Sequence, residues 1–353
     1  MQKIASITYK EKTKYAYVSG RLRVMETRLL NRTTIGRLLE ADSAQEVLRL
    51  LSEGEYGIAL SEISDPADFE KALEIEMERT YAFVDEFSTD PDLTRIFRIR
   101  WDFHNLKVLL KASYLKELAP KTDDILVRFG IIPIEDIKLT IEPDAENKGN
   151  RLPDYLINAL DDARAKYEAS QDPQIIDIII DNHLYNFMYE RVVDYPNPFL
   201  KGYFEAVADL NNIKNFIRIK LLGGSIKTLD AVLLPHGRLD KKLFLQQFEE
   251  TIENFVADLV ATDLIRTPYV GLVAEAIRGW EEEHSLATFE KLVDNYLISY
   301  IKPAQYIVFG VEPLIAYLLA KEHEIKLIRI IMTGKINDLP IEIINERLRN
   351  TYA

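Results

Sequence analysis

The chain has 353 residues, a formal net charge of −13 at neutral pH and no cysteine. An apolar fraction of 47% is enough for sizeable cores and argues against wholesale disorder. The negative charge disfavours general nucleic-acid binding and electrostatic adhesion to an anionic membrane. The lack of cysteine excludes disulfides, thiolate zinc sites and a cysteine nucleophile.

The N-terminal stretch does not have the pattern of a targeting signal. It reads MQKIASITYKEKTKYAYVSGRL and lacks the continuous apolar core of a secretion signal. Further along, no segment reaches the roughly 18 consecutive apolar residues that a membrane-spanning helix needs. The nearest, VEPLIAYLLAKEHEIKLIRII, is interrupted by the polar run 321–324. We therefore expect a soluble protein.

Helical periodicity dominates the chain from its first long segment onward. In residues 64–87 the apolar side chains fall three or four apart, at Phe69, Leu73, Met77, Tyr81 and Val84. Asp65 and Pro66 form a helix start signal, which recurs at Asp90-Pro91, Asp172-Pro173 and Asn197-Pro198. The run IIDIII at 175–180 is the most strand-like, but helical patterns surround it. The sequence predicts a nearly all-helical fold.

Evenly spaced landmarks predict an internal triplication. Gly-x-Leu/Ile occurs at Gly20, Gly130, Gly237 and Gly334. A polar helix position follows the first three glycines by 82, 79 and 84 residues, at Asp102, Asp209 and Lys321. A proline precedes that position by 11, 11 and 8 residues. We predict three repeat units, 1–125, 126–232 and 233–353, with the C-terminal segment 334–353 packing on the first.

Each unit places a polar seam on a long apolar helix. The seam is Arg98, Asp102 and Asn105 in the first copy, Asp209 and Asn212 in the second, and Lys321 and Glu324 in the third. A lysine persists in all three copies, at Lys107, Lys214 and Lys326. These ten residues are the candidate polar seam or interface.

Three interpretations of the seam are open. Asp102 and Asp209 could form a carboxylate pair for acid–base or metal chemistry. They could instead satisfy buried donors at a helix–helix contact, with Arg98 as a charge partner of Asp102. A third interpretation has the three units surround an axis, so that one seam lines a polar hole. We favour the second, because a residue repeated in every unit performs one task several times, whereas a catalytic site needs different tasks.

Motifs for catalysis or cofactor binding do not appear in the sequence. None of the five histidines stands in a zinc-binding pattern, and neither a phosphate-binding loop nor a G-x-S-x-G nucleophile elbow is present. We therefore expect no catalytic residue, no metal site and no cofactor.

Several blocks of the sequence resemble the C subunit of the archaeal and bacterial rotary V/A-type ATPases, whose eukaryotic counterpart is the d subunit of the vacuolar pump. They include YAYVSGRLRVMETRLLNRTTIGRLLEADSAQEVLRLLSEGEYG, RIRWDFHNLKVLLKASYL, YFEAVADLNNIKNFIRIKLLG and VEPLIAYLLAKEHEIKLIRIIMTGKINDLPIEIINERL. The resemblance spans nearly the whole chain. It implies an all-α fold in which three pseudo-threefold-related helical lobes form a funnel-shaped socket.

The same resemblance implies a function without catalysis or nucleotide binding. The chain would link the central-stalk subunits of the rotor to the membrane ring of proteolipid subunits and transmit torque between them. It would lie on the cytoplasmic face of the membrane, held there by the ring. Two alternatives are an unrelated helical-repeat scaffold that binds a cytosolic partner, and a hydrolase that uses Asp102 or Asp209.

Overall fold

A computed structural model describes residues 15–115, 122–142, 151–195, 197–261, 269–283 and 285–353. All regular secondary structure in these ranges is helical, which confirms the predicted all-α class. The helices are α1 Ala16–Glu26, α2 Arg32–Glu40, α3 Ala44–Ser52, α4 Gly57–Leu60, α5 Phe69–Phe87, α6 Pro91–Tyr114, α7 Thr122–Ile125, α8 Ile134–Ile141, α9 Asp154–Ser170, α10 Gln174–Val193, α11 Pro198–Leu221, α12 Ile226–Val232, α13 Lys241–Gln246, α14 Ile252–Ala261, α15 Tyr269–Glu283, α16 Ala287–Ile301, α17 Glu312–Ile336 and α18 Ile341–Arg347. Short 3₁₀ turns cover Pro66–Asp68 and Lys302–Tyr306.

Local chemistry explains where the long helices begin. Pro91 and Pro198 each stand at the first position of a 24-residue helix, where the missing N–H leaves no bond unmade. The Asn197 side chain caps α11 by accepting a hydrogen bond from the Leu200 amide at 3.0 Å. The start signal at Asp65 produces the 3₁₀ turn Pro66–Asp68 rather than an α-helical one, and α5 begins directly after that turn, at Phe69. The strand-like run 175–180 lies inside α10.

The chain divides into two compact units. The first joins the described part of Met1–Thr94 to Glu275–Ala353, and the second is Arg95–Ala274. The boundary after Thr94 falls inside α6, so the division follows packing rather than the ends of helices. The three-unit organisation expected from the spacing of landmarks stays a prediction.

The first unit is built around α17. Of the residues from Pro313 to Lys321 on this helix, every one is buried, which is the pattern of a helix enclosed on all sides. It packs against α1, α3, α5, α16 and α18. Segments from both ends of the chain meet here. The Tyr352 hydroxyl donates to Glu26, and Arg23 donates to the Ile307 carbonyl at 2.6 Å.

The second unit contains an aliphatic cluster and an aromatic cluster. One is formed by α6, α8, α9 and α10, and its innermost residues include Leu106, Ile137, Leu156 and Ile176. The other is aromatic: the Phe216 ring on α11 lies 4.3 Å from that of Phe255, between ring centroids. Helices α6 and α11 are therefore held by apolar contacts along much of their length, which fixes the direction of their polar residues.

In the described part of the chain, none of the helices is both long and apolar enough to cross a membrane.

Candidate functional site

The first polar seam holds the backbone of a non-helical segment. This first clamped segment, residues 127–132, joins α7 to α8. One carboxylate oxygen of Asp102 accepts hydrogen bonds from the Ile131 and Ile132 amides, at 2.8 and 3.0 Å. Asp102 is completely buried. It supplies the acceptors that these amides lack outside a helix.

Two other seam residues bind the same segment. Asn105 donates from its amide nitrogen to the Val127 carbonyl at 2.7 Å and accepts from the Val127 amide at 2.9 Å, so it pairs with both polar groups of one residue. The Arg98 guanidinium donates to the carbonyls of Phe129 and Gly130 at 2.9 and 3.0 Å. All three seam residues therefore bind backbone rather than an open site.

The second copy repeats this arrangement 107 residues later. The second clamped segment, residues 234–239, joins α12 to α13. Asp209 accepts from the Leu239 amide at 2.9 Å. Asn212 donates to the Leu234 carbonyl at 2.9 Å and accepts from the Leu234 amide at 2.7 Å. The two copies thus share a fold-stabilising device at equivalent positions.

The aspartate and asparagine that bind one clamped segment form a clamp, and each of the two clamps needs a glycine. Gly130 follows Asp102 by 28 residues, and Gly237 follows Asp209 by the same number. A β-carbon at either glycine would overlap the Asp carboxylate oxygen that accepts the backbone bonds. Only glycine leaves room for the chain to approach the carboxylate this closely.

Burial shifts the titration of both aspartates. It raises the pKa of Asp102 to about 7, against the opposing effects of the Ile132 and Ile131 amides and the Arg98 charge. It raises the pKa of Asp209 to about 6, where the backbone bonds and the Tyr269 hydroxyl oppose it. Each clamp therefore costs the fold free energy when its carboxyl is charged.

The third copy has different chemistry at the seam. Lys321 is 1% exposed, and its ammonium lies 2.9 Å from Glu324 and 3.1 Å from Glu76 on α5. Burial alone would lower the pKa of Lys321, but Glu324, Tyr317 and Glu76 raise it above its usual range. The seam is here a buried ion cluster rather than an Asp/Asn clamp.

Glu324 connects this cluster to the N-terminal part of the chain. One of its oxygens accepts from the Tyr56 hydroxyl at 2.7 Å, and the other accepts from the Leu30 amide. The ammonium of Lys321 also lies 4.8 Å from the centre of the Tyr56 ring. The third seam thus retains one feature of the other two, because it too binds a backbone amide outside a helix.

Two of the repeated lysines pair with acids on neighbouring helices. The ammonium of Lys107 lies 2.7 Å from Asp181 on α10, and that of Lys326 contacts Asp294 on α16. Lys214 lines an open groove between α10, α11 and α12. The pairs of Lys107 and Lys326 thus connect neighbouring helices, and Lys214 lies beside the groove.

The arrangement favours a structural role for the seams. Asp102 and Asp209 each use one carboxylate oxygen to bind backbone amides. A catalytic carboxylate would instead need access to a substrate. Among the described residues, no group of three or more His, Asp or Glu side chains could hold a metal ion. Sequence reasoning missed Tyr56, Glu76, Asp181 and Asp294. It could have found the glycine contact, because the interval of 28 residues from Asp to Gly is identical in both copies.

The family model and the similar proteins all indicate the same family. The family model described as "ATP synthase (C/AC39) subunit" matches residues 18–347. The chain is 28% identical to the C subunit of the V-type sodium ATPase of Enterococcus hirae, over 96% of this chain and 99% of that protein. It is 26% identical to the C subunit of the A-type ATP synthase of Methanocaldococcus jannaschii, over 95% and 86%, respectively. The corresponding protein of Methanothermobacter thermautotrophicus is 27% identical, over 91% and 84%.

Replacing Gly130 or Gly237 with alanine should destabilise the protein by about 1–3 kcal/mol each, because the new methyl group displaces the Asp carboxylate from the backbone amides. Urea unfolding measures the effect. Gly36→Ala is the matched control: Gly36 lies inside α2 with open space around it, so alanine there should be neutral or stabilise by up to about 1 kcal/mol. Equal effects at all three glycines would contradict the clamp.

Asp102→Asn should remove part of the pH dependence of stability. The folded-state pKa of Asp102 lies above its unfolded value, so the folded state binds the proton more tightly and its stability falls as the pH rises from about 4 to 7. Between pH 5 and 8 the wild type should lose on the order of 2 kcal/mol through this group, and the variant should not. An asparagine oxygen can still accept both amide bonds. Identical pH profiles for the two proteins would contradict the assignment.

Lys321→Met should cost roughly 3–5 kcal/mol, because it leaves the carboxylates of Glu76 and Glu324 buried without their shared cation. Lys326→Met is the control on the same helix. The Lys326 side chain is 44% exposed, so loss of its ion pair should cost at most about 1 kcal/mol. Thermal and urea unfolding compare the two variants. A smaller loss for Lys321→Met than for Lys326→Met would overturn the prediction.

Proposed function

Because the chain belongs to the ATP synthase (C/AC39) subunit family, we propose that it is the non-catalytic coupling subunit of a rotary V/A-type ATPase. Its partners are then other subunits of that complex. The finer part of the proposal is that it forms a socket between the central stalk and the membrane rotor ring and transmits torque between them. The family match over residues 18–347 carries the proposal.

The polar contacts of the seams support a mechanical role. Torque transmission requires a body that deforms little, and close-packed interiors have low compressibility. Here buried Asp, Asn and Glu side chains tie non-helical backbone to long helices, as at Asp102, Asp209 and Glu324. Such bonds reduce local opening of the segments between helices. The same bonds occupy the polar side chains of the seams, so these side chains are not directed at a substrate.

The repeated clamp also supports the proposed three-lobed socket. Equivalent side chains bind equivalent segments in the first two copies, and the third copy has an ion cluster at the corresponding helix position. Three related units around an axis would offer a central stalk similar contacts in several rotational sectors. In this proposal the protein is peripheral to the membrane, on its cytoplasmic face, and the ring of proteolipid subunits holds it there.

Co-purification tests the proposed function. The chain, tagged at its C-terminus, is expressed in its native host and recovered from detergent-solubilised membranes, and associated proteins are identified by mass spectrometry. We expect stoichiometric recovery of stalk and ring subunits of a rotary ATPase. A parallel preparation carrying the tag on an unrelated cytosolic protein serves as the control.

Two outcomes would contradict the proposal. Recovery of a different cytosolic partner without ATPase subunits would favour the helical-repeat scaffold. A second experiment deletes this chain from the complex. If ATP hydrolysis and ion transport then stay coupled as before, the chain does not transmit torque.

A further inference from the structure

The outer side of α1 and the segment 306–309, at the end of the 3₁₀ turn, form an apolar surface. Tyr17 and Val24 are exposed on α1. Tyr306, Val308 and Phe309 are exposed on the segment, and Tyr306 is almost fully in water. We call these five residues the α1 face. Large apolar side chains that a fold leaves exposed at one place mark a binding surface.

Hydrogen bonds hold the two parts of the α1 face together. The Ser19 hydroxyl on α1 donates to the Val308 carbonyl. The Arg23 guanidinium, one turn further along the helix, donates to the Ile307 carbonyl at 2.6 Å and to the Ala304 carbonyl at 3.3 Å. The backbone of the segment is thereby fixed against α1, while its apolar side chains remain in water.

The surroundings of the α1 face do not favour a charged partner. Residues 303–311 contain no Asp, Glu, Lys or Arg. The two arginines on this side of the chain are engaged: the Arg21 guanidinium lies 4.3 Å from the centre of the Phe87 ring, and that of Arg28 lies 2.7 Å from Glu55. A surface of this kind lets two copies of a chain of net charge −13 meet without local repulsion.

The pattern on α1 is self-complementary. Tyr17, Gly20 and Val24 are three and four residues apart, so they form one line on the exposed side of the helix. A β-carbon at Gly20, the centre of this line, would meet no other atom of the described residues within 4 Å. When two copies of α1 cross antiparallel at Gly20, Tyr17 of each copy lies opposite Val24 of the other. Both halves of such a twofold contact then pair a large side chain with a smaller one.

The size of the α1 face suits a dimer. Because an aromatic side chain has about 150–250 Å² of surface, Tyr17, Tyr306 and Phe309 together leave on the order of 400 Å² in water. The two valines and the polar rim bring the surface toward the roughly 800 Å² that each partner contributes to a stable interface.

We propose that the free chain forms a twofold dimer through the α1 face, in which the two copies of α1 cross at Gly20 and the two segments 306–309 pack beside them. The partner is a second copy of this chain. The dimer concerns the chain outside any complex, so the inference goes beyond the proposed function and does not depend on it.

Sedimentation equilibrium of the purified full chain tests the proposal. We expect a monomer–dimer equilibrium with a dissociation constant on the order of 1–100 µM, because the contact lies at the lower end of the usual interface size. Added NaCl should tighten the dimer, because it screens the repulsion between two copies of net charge −13. A contact made of ion pairs would weaken instead.

A pair of charge variants locates the contact. Tyr17→Glu/Val24→Glu should raise the dissociation constant at least about tenfold, because the contact would bury unpaired carboxylates. Val193→Glu/Leu222→Glu is the matched control, which adds the same charge outside the α1 face and should leave the dimer intact. Leu222 and Val193 are 65% and 52% exposed, against 67% and 52% for Tyr17 and Val24. Circular-dichroism melting curves check that both variants are folded.

The lack of cysteine allows a second test by disulfide formation. Gly20→Cys should give a disulfide-linked dimer on oxidation, because the two copies of this position lie next to the twofold axis. Gly271→Cys is the control, since Gly271 is also an exposed helical glycine with open space around it. Its disulfide should form at least about tenfold more slowly.

Three results would overturn the inference. They are a chain that stays monomeric, a dimer that both charge variants weaken equally, and equal disulfide yields from the two glycine positions. If the chain is monomeric alone and the Gly20→Cys thiol is protected from N-ethylmaleimide only in an assembled complex, the α1 face belongs to a different subunit instead. Co-purification with a rotary ATPase is measured separately, so the proposed function can stand where this inference fails.

Discussion

Buried backbone outside helices needs hydrogen-bond partners, and the rest of this structure depends on how that need is met. Non-helical segments that pack against a buried helix carry amides and carbonyls that a helix would otherwise satisfy, and each one left unpaired away from water is costly. Asp102 and Asn105 supply partners at both ends of the segment 127–132, and Asp209 and Asn212 do so for the segment 234–239. The position of each non-helical segment is thereby fixed against a long helix. The same contact explains why the carboxylates remain although their burial raises their pKa.

The third copy shows that the position is retained while its chemistry changes. Lys321 and Glu324 occupy the helix face where the other copies have Asp and Asn, and Glu324 still accepts a backbone amide, that of Leu30. Glu76 and Tyr56 complete the cluster. A buried ion cluster of this kind adds little net stability but strongly penalises other arrangements, because separating its members leaves charges buried. Residues near Leu30, Tyr56 and Glu76 are joined to α17 through this cluster, a connection that the proposed torque-transmitting role would use.

Periodicity and start signals predicted the all-α class and the starts of the long helices, and the seam residues stood out as polar positions on apolar helices. The sequence also indicated that Asp102 and Asp209 act structurally, because it showed one residue pattern used twice. It did not reveal the partners of the seam residues. Val127 and Leu234 bond through backbone atoms, which carry no side-chain signal, and Glu76 lies 245 residues from Lys321. Arg98 was expected as a charge partner of Asp102, and its charge does oppose the rise of the Asp102 pKa, but its bonds to the carbonyls of Phe129 and Gly130 were not expected. Such contacts depend on how the segments pack, which local patterns do not encode.

Native-state hydrogen exchange tests most directly whether the two clamps hold the backbone. The decisive amides are those of Val127, Ile131, Ile132, Leu234 and Leu239, all outside regular helix. We expect them to exchange as slowly as the central amides of α6 and α11, in both copies alike, because opening them requires the unit to unfold. Exchange at the rate of unprotected loop amides would show that the side-chain bonds do not restrain these segments. The shared clamp would then fail as the basis of a rigid, repeated module.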